Sequence, residues 1–211
     1  MSNFLFFNRK AVNIDITHRC ALECIRCFRT MFYKNKNIKV PGEDMSMDNF
    51  LKVIKYFKQL NFCGQYSDPV HHPKFIEMLE ITYKNKNNIF VHNASSTKSK
   101  EWYIEAFKAN PDARWTFGID GLPEESHMYR KNQDGVKLFN IMLESKKYLK
   151  KLPVWQIIVF GYNENNIEKC KQMAEKADVK ILILQSSRWL KDDPLKPKNP
   201  EYLMKSRNNR E

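Results

Sequence analysis

Short runs of β-branched and aromatic residues alternate with stretches of helical periodicity along almost the whole chain, and this alternation limits the possible folds more than any other feature. Residues 12–17, 62–66, 89–92, 115–120, 154–160 and 180–184 read as six strands. Ser46 is placed to cap a helix whose apolar positions Met47, Phe50, Leu51, Ile54, Phe57 and Leu60 follow a 3.6-residue period. Residues 75–83, 102–107, 136–149 and 165–177 supply four more helices, with Val136, Phe139, Met142 and Leu143 on one face of the third of these. Strand–helix–strand repetition implies βαβ units with parallel pairing. Right-handed crossovers then leave an α/β architecture, either a partial or full barrel or a doubly wound sheet.

Two segments fall outside the pattern. Residues 28–44 are long, basic and without clear periodicity, and a loop of that length in a compact domain is usually functional or mobile. It follows the first strand, on the rim where α/β barrels build their sites. Beyond Trp189 the chain is rich in Pro and Lys. The expected division is a core domain at 1–189 and a basic tail at 190–211, flexible or draped on the surface. The 211 residues suffice for one domain of this size.

With 42% hydrophobic and 13% aromatic residues, disorder over most of the chain is excluded. The formal charge of +12 favours anionic partners through its long-range field, and an ordinary solvated basic surface accounts for it equally well. The apolar patch Phe4-Leu5-Phe6-Phe7 is too short for a targeting core. No stretch approaches the roughly 18–20 apolar residues of a membrane span. The chain has five cysteines, an odd number, which argues against a disulfide scaffold and for a reducing, cytoplasmic setting.

Cys20, Cys24 and Cys27 form C-x3-C-x2-C directly after the first strand. Three readings compete. One is a zinc site completed by a distant His18, Cys63, His71 or His72, since structural zinc takes four ligands. Another is three free thiols. The third is a [4Fe–4S] cluster with one iron open to another ligand, which the spacing and the βα context favour. Cys170 shares a helical face with Ile167, Ala174 and Ala177 and reads as core.

The cysteine motif resembles the signature of the radical S-adenosylmethionine (SAM) superfamily, and the resemblance spans about residues 12–189. Cys63-Gly64-Gln65-Tyr66-Ser67-Asp68-Pro69 falls where that superfamily has Gly-Gly-Glu-Pro, and His92-Asn93-Ala94-Ser95 where many members have Thr-Asn-Gly. Gly118-Ile119-Asp120-Gly121-Leu122 with His127 and Arg130, and Val159-Phe160 with Asn163-Glu164, are similar to segments of the SPASM-type peptide-modifying branch. The resemblance implies a partial (β/α)6 TIM-type barrel with parallel strands. It implies a [4Fe–4S] cluster on Cys20, Cys24 and Cys27, and SAM chelated to the open iron. One-electron cleavage of SAM would then give a 5′-deoxyadenosyl radical that takes hydrogen from a substrate.

The same resemblance assigns cofactor contacts. Gly64, Gln65, Ser67 and Asp68 would line the methionine moiety, with Asp68 suited to its ammonium. Asn93 would reach the ribose hydroxyls or cap a helix. Arg130 would bind the SAM carboxylate through its guanidinium fork, the alternative being a surface pair with Glu124 or Glu125. Asp120 would sit at the catalytic rim or stabilise the turn it begins. Phe160 would meet the adenine or pack in the core. Arg19, Arg26 and Arg29 flank the cluster loop and would tune its potential, or be solvated charge.

The departures are specific. Arg26 stands where the superfamily usually has an aromatic residue, Gly118 where serine is common, and the second-strand motif lacks its glutamate. No cysteine follows Cys170, so a core without the C-terminal SPASM domain is expected. The implied partners are reduced flavodoxin or ferredoxin as electron donor and a substrate that is anionic, a peptide or protein ahead of a nucleotide-derived molecule. The rival class is a zinc-stabilised, non-enzymatic nucleic-acid-binding module.

Overall fold

The computed structural model describes residues 11–64, 66–187, 189–190 and 192–204. The apolar patch at residues 4–7 lies outside them. Six strands, β1 (Ala11–Ile14), β2 (Gln59–Phe62), β3 (Asn88–Asn93), β4 (Arg114–Gly118), β5 (Val154–Ile158) and β6 (Lys180–Leu184), form one sheet in sequential order. Every neighbouring pair is parallel. A doubly wound sheet would reverse its strand order at a switch point. This order does not reverse, so every right-handed crossover lays its helix on the same face and the sheet curls into a partial barrel.

The helices are α1 (Phe28–Phe32), α2 (Met47–Tyr56), α3 (Phe75–Lys84), α4 (Lys100–Ala109), α5 (Gly135–Ser145) and α6 (Ile167–Lys176). Side-chain caps set three of the starts: Ser46 Oγ accepts from Asn49 N, Ser99 Oγ from Trp102 N and Asp134 Oδ1 from Lys137 N. Alternate strand residues face the helices. Leu60, Phe62, Val91, Trp115, Phe117, Trp155 and Ile157 pack there against Phe50, Phe75, Tyr103, Phe107 and Met142 in one core. Each such side chain contributes about 1.5–3 kcal/mol by burial. The intervening residues, among them His92, Thr116, Gly118 and Gln156, face the concave side.

Two expectations are corrected. The helix expected to run through Leu60 ends at Tyr56, and Phe57 is already extended. Leu60 fits a helical period, but it also alternates with Phe62, and pairing with Val12 and Ile89 places it in β2. The second strand accordingly lies three residues earlier than read, and its end leaves 63–69 free to turn. Residues 28–44 contain α1 and a 3-10 turn at Lys34–Lys36. The tail, expected to be flexible or draped on the surface, is bonded to the rim over its described part. Asp193 Oδ2 accepts from Arg26 Nε (2.9 Å) and Leu190 N (3.1 Å), and its Oδ1 accepts from Leu195 N (3.0 Å). Gly161 N donates to Leu195 O at 2.9 Å, and Glu164 Oε2 accepts from Lys198 N and Asn199 N, each at 2.9 Å. These bonds join the tail to the rim, and Tyr202 packs against the core beside them.

Candidate active site

At the C-terminal ends of the strands, the loops surround a cavity of about 310 Å³, near the lower end of the ~300–1,000 Å³ range of small-molecule sites. Cys20, Cys24 and Cys27 line it, together with Cys63, Gly64, Ser67, Asp68, Asn93 and Arg130. Asp120 lies behind its wall, and Gln65 is outside the described residues. The cysteine loop is tied to its neighbours by main-chain bonds. Glu23 N donates to Lys131 O (3.2 Å), Ile25 N to Tyr129 O (3.2 Å), and Asp68 N to Arg19 O (3.0 Å). The thiols are free. Burial pushes Cys20 up to about 12 and Cys24 up to about 11, so the loop favours neutral thiols until a metal's charge strips the protons.

Among the described residues no three His, Cys, Asp or Glu side chains are gathered to hold a metal ion. Three cysteine sulfurs around one cavity are soft donors of the kind an iron–sulfur group takes. The histidines proposed to complete a zinc site are engaged elsewhere. His71 Nε2 is 3.0 Å from Ser95 Oγ, and His72 bonds Met45 O and Lys74 N. His18 Nδ1 is 3.9 Å from Asp44.

Arg130 is set by the segment after β4. Its Nε lies 2.8 Å from Asp120 Oδ2, with side-chain exposures of 11% and 0%. Asp120 Oδ1 also accepts from Ile158 N at 2.7 Å. Burial pushes the Asp120 carboxyl up, and the Arg130 guanidinium opposes it. The carboxylate expected to touch a cofactor is thus committed to positioning Arg130, and the alternative surface pair of Arg130 with Glu125 is not formed, since Glu125 binds Leu122 N and Asn166. Gly118 accounts for its own departure: a Cβ there would stand 2.9 Å from Arg130 Nη2 and 3.1 Å from Cζ. Because Arg130 is pinned, Gly118→Ala is expected to cost about 1–3 kcal/mol, as overpacking does, read as a lowered urea midpoint.

The loops after β2 and β3 are knitted together. Asp68 Oδ2 accepts from Ala94 N (2.7 Å) and Ser95 N (2.9 Å), and its Oδ1 from Val70 N (3.3 Å). Asn93 Oδ1 accepts from Ser95 N, and its Nδ2 donates to Tyr103 OH. Ser67 Oγ donates to Asp15 Oδ1 at 2.7 Å. These three side chains, expected to touch a cofactor, shape the loops whose surface meets the cavity. Gly64 is required by the turn itself, since a Cβ would fall 1.9 Å from Ser67 O.

Burial pushes the Asp68 carboxyl up to about 6 against these donors, from an ordinary 3.8. Between pH 4 and 6 the folded chain therefore holds a proton that the unfolded chain has lost. The stability this proton supplies is present below about pH 4 and lost as pH rises through 6, on the order of 3 kcal/mol at most. His71, pushed down to about 4 by burial, acts oppositely over the same range. Urea midpoints of cluster-free wild type and Asp68→Asn should separate the two: the wild type should lose stability relative to the variant as pH rises from 4 to 6.

Several residues around the cavity went unread in the sequence. Thr116, Gln156, Ile158 and Tyr129 line it. The alternation of Trp115 and Phe117 with Thr116 and Gly118, and of Trp155 and Ile157 with Gln156 and Ile158, carried that signal. Gln133 ties two loops, donating to Ala94 O (2.6 Å) and Gly118 O (2.9 Å). Two members of the resembling motifs lie apart from the cavity. His127 is exposed and bonds Glu124 O, and Phe160 stacks on Tyr129 at 4.2 Å.

Residues 14–177 match the sequence model of the radical SAM superfamily. The chain belongs to that superfamily. Radical SAM proteins are enzymes that use a [4Fe–4S] cluster and SAM, and these are the cofactors of this chain. The fold agrees with solved radical SAM structures. Streptococcus suis SuiB bound to S-adenosylmethionine superposes with a TM-score of 0.70 at 10% identity, over 90% of this chain and 44% of SuiB. Native anSMEcpe with bound AdoMet gives 0.65 at 18% identity, over 89% and 56%. Methylornithine synthase (PylB) gives 0.59 at 15% identity, over 84% and 55%. The chain thus spans about half the length of these proteins. No curated protein is significantly similar in sequence. Superfamily membership displaces the zinc-stabilised nucleic-acid module as a reading. Among the described residues no helix is long and apolar enough to cross a membrane.

Proposed function

We propose that this chain cleaves SAM reductively and directs the resulting radical at a peptide or protein substrate. The observation that carries the reading is the convergence of Cys20, Cys24, Cys27 and Arg130 on one cavity at the rim of a partial barrel. When bound, the cluster and SAM supply one-electron cleavage of the sulfonium to methionine and a 5′-deoxyadenosyl radical that abstracts hydrogen. The chain's part is placement. Cys20, Cys24 and Cys27 are the cluster ligands. Arg130 holds the SAM carboxylate through its fork, and Asp120 acts through Arg130 by fixing its orientation. The Gly64–Asp68 turn and the loop of Asn93 present their surface to the methionine and ribose. Ile158 and Tyr129 give the cavity an apolar wall that limits water.

A peptide substrate is supported by the likeness to SuiB, which was crystallised with precursor peptide SuiA, and to anSMEcpe, crystallised with the Kp18Cys peptide. The two sheet edges, β1 and β6, leave an open side through which a large substrate can approach. The net charge of +12 favours an anionic one. Reduced flavodoxin or ferredoxin supplies the electron, in the cytoplasm. The test is anaerobic reconstitution with iron and sulfide, reduction with dithionite, and product analysis with SAM. Methionine and 5′-deoxyadenosine in equal amounts are expected. A chain that takes up zinc but no iron and forms neither product overturns the proposal.

A further inference from the structure

Three arginines flank the cysteine loop, and the fold gives them different partners. Arg19 Nη2 pairs with Asp44 Oδ2 at 2.7 Å, and Arg26 Nε with Asp193 Oδ2 at 2.9 Å. Arg29, on α1 two residues past Cys27, is only 7% exposed and lines the cavity. Its Nε and Nη1 are buried and, among the described residues, have no hydrogen-bond partner. Buried polar groups are almost always paired, and an uncompensated buried charge is strongly destabilising. A guanidinium held this way, in the wall of a cavity, is built to meet an anion.

We infer that Arg29 is the charge partner of the iron–sulfur cluster and raises its reduction potential. This rests on the radical SAM reading above. Three thiolates and the bridging sulfides give such a cluster net negative charge, and nearby charge and hydrogen bonds set its potential. Arg29 belongs to the helix that Cys27 begins, and its charge bears on Cys20 across the loop. Reduction brings one electron from the external donor to the cluster. The added negative charge is stabilised by the adjacent cation more than the oxidised form is, and the potential rises.

The experiment is an EPR-monitored potentiometric titration of the full chain, reconstituted anaerobically, as wild type, Arg29→Gln and Arg29→Lys. Arg29→Gln should shift the reduction equilibrium about tenfold against the reduced form, about 59 mV for one electron. Arg29→Lys should recover most of the shift. An unchanged potential in Arg29→Gln at equal iron content overturns the inference. So does an unchanged potential with a raised substrate KM, which would assign Arg29 to a substrate anion. If Arg29→Gln keeps no cluster, iron retention in Arg29→Lys and Arg29→Met decides, with circular dichroism confirming that both fold. Retention by lysine alone supports the charge role, and equal loss from both overturns it. Failure of the radical SAM reading is distinguishable, because the wild type itself would then bind no iron.

Discussion

Asp120→Ala is expected to destabilise the chain by about 3–5 kcal/mol, the cost of removing one partner from a buried ion pair. Arg130 would keep its charge while 89% of its side chain stays out of water, given its 11% exposure. Ile158 N would lose its acceptor as well, and β5 ends at that residue. For a domain of this length the loss corresponds to a fall in Tm of roughly 6–20 °C. Asp120→Asn preserves volume and one acceptor oxygen, and should fall between wild type and alanine. Calorimetry of the cluster-free protein checks the order. A drop below about 1 kcal/mol in Asp120→Ala would mean that Arg130 relaxes to solvent and that the pair does not fix it. The expected consequence at the site is a weakened hold on SAM in Asp120→Asn, measured as a raised Kd.

Cys24→Ala should behave in the opposite way, sparing the fold and abolishing the chemistry. The Cys24 side chain is half-buried and free of disulfide, and the loop's bonds run through the main chain, including Cys27 N to Cys24 O at 3.0 Å. Its loss should change stability by about 0.5 kcal/mol or less, as for positions without a special mechanism. A [4Fe–4S] cluster left with two of its protein thiolates has no site of the required denticity. Iron retained after reconstitution and desalting should fall to background, and 5′-deoxyadenosine should not form. Retained turnover would remove Cys24 from the ligand set. Taken together, the two variants separate placement from ligation: one loosens an arginine in a folded wall, the other empties the wall of its metal.

The general course of the chain was legible because its signals are local. Five of the six strands fall on the segments read for them, β2 shares only Phe62 with its own, and all six stand in one parallel sheet. The exception to a clean reading, Leu60, sits where two periods coincide, and only its neighbours Val12 and Ile89 decide between them. At the site, spacing and resemblance pointed to the cysteines and Arg130, and these residues line the cavity. Asp68, Asn93 and Asp120 were singled out with them, and their hydrogen bonds within the walls are what spacing does not show. Their acceptors serve backbone N–H groups at Ala94, Ser95 and Ile158, and buried polar groups must be satisfied before they can serve a ligand. The Asp193–Arg26 pair joins residues 167 positions apart, a separation at which composition says nothing.

Read alone, the order of residues determined that strands and helices alternate along the chain and that three sulfurs lie within eight positions of one another, since both depend on periodicity and spacing along the backbone. Only the folded molecule decided which charges face the cavity and which are spent holding its walls. That choice depends on desolvation and on partners brought together from distant loops. Hence Arg19 and Arg26 are neutralised by carboxylates, and Arg29, equally close to the cysteines in sequence, lines the cavity with its Nε and Nη1 unpartnered among the described residues.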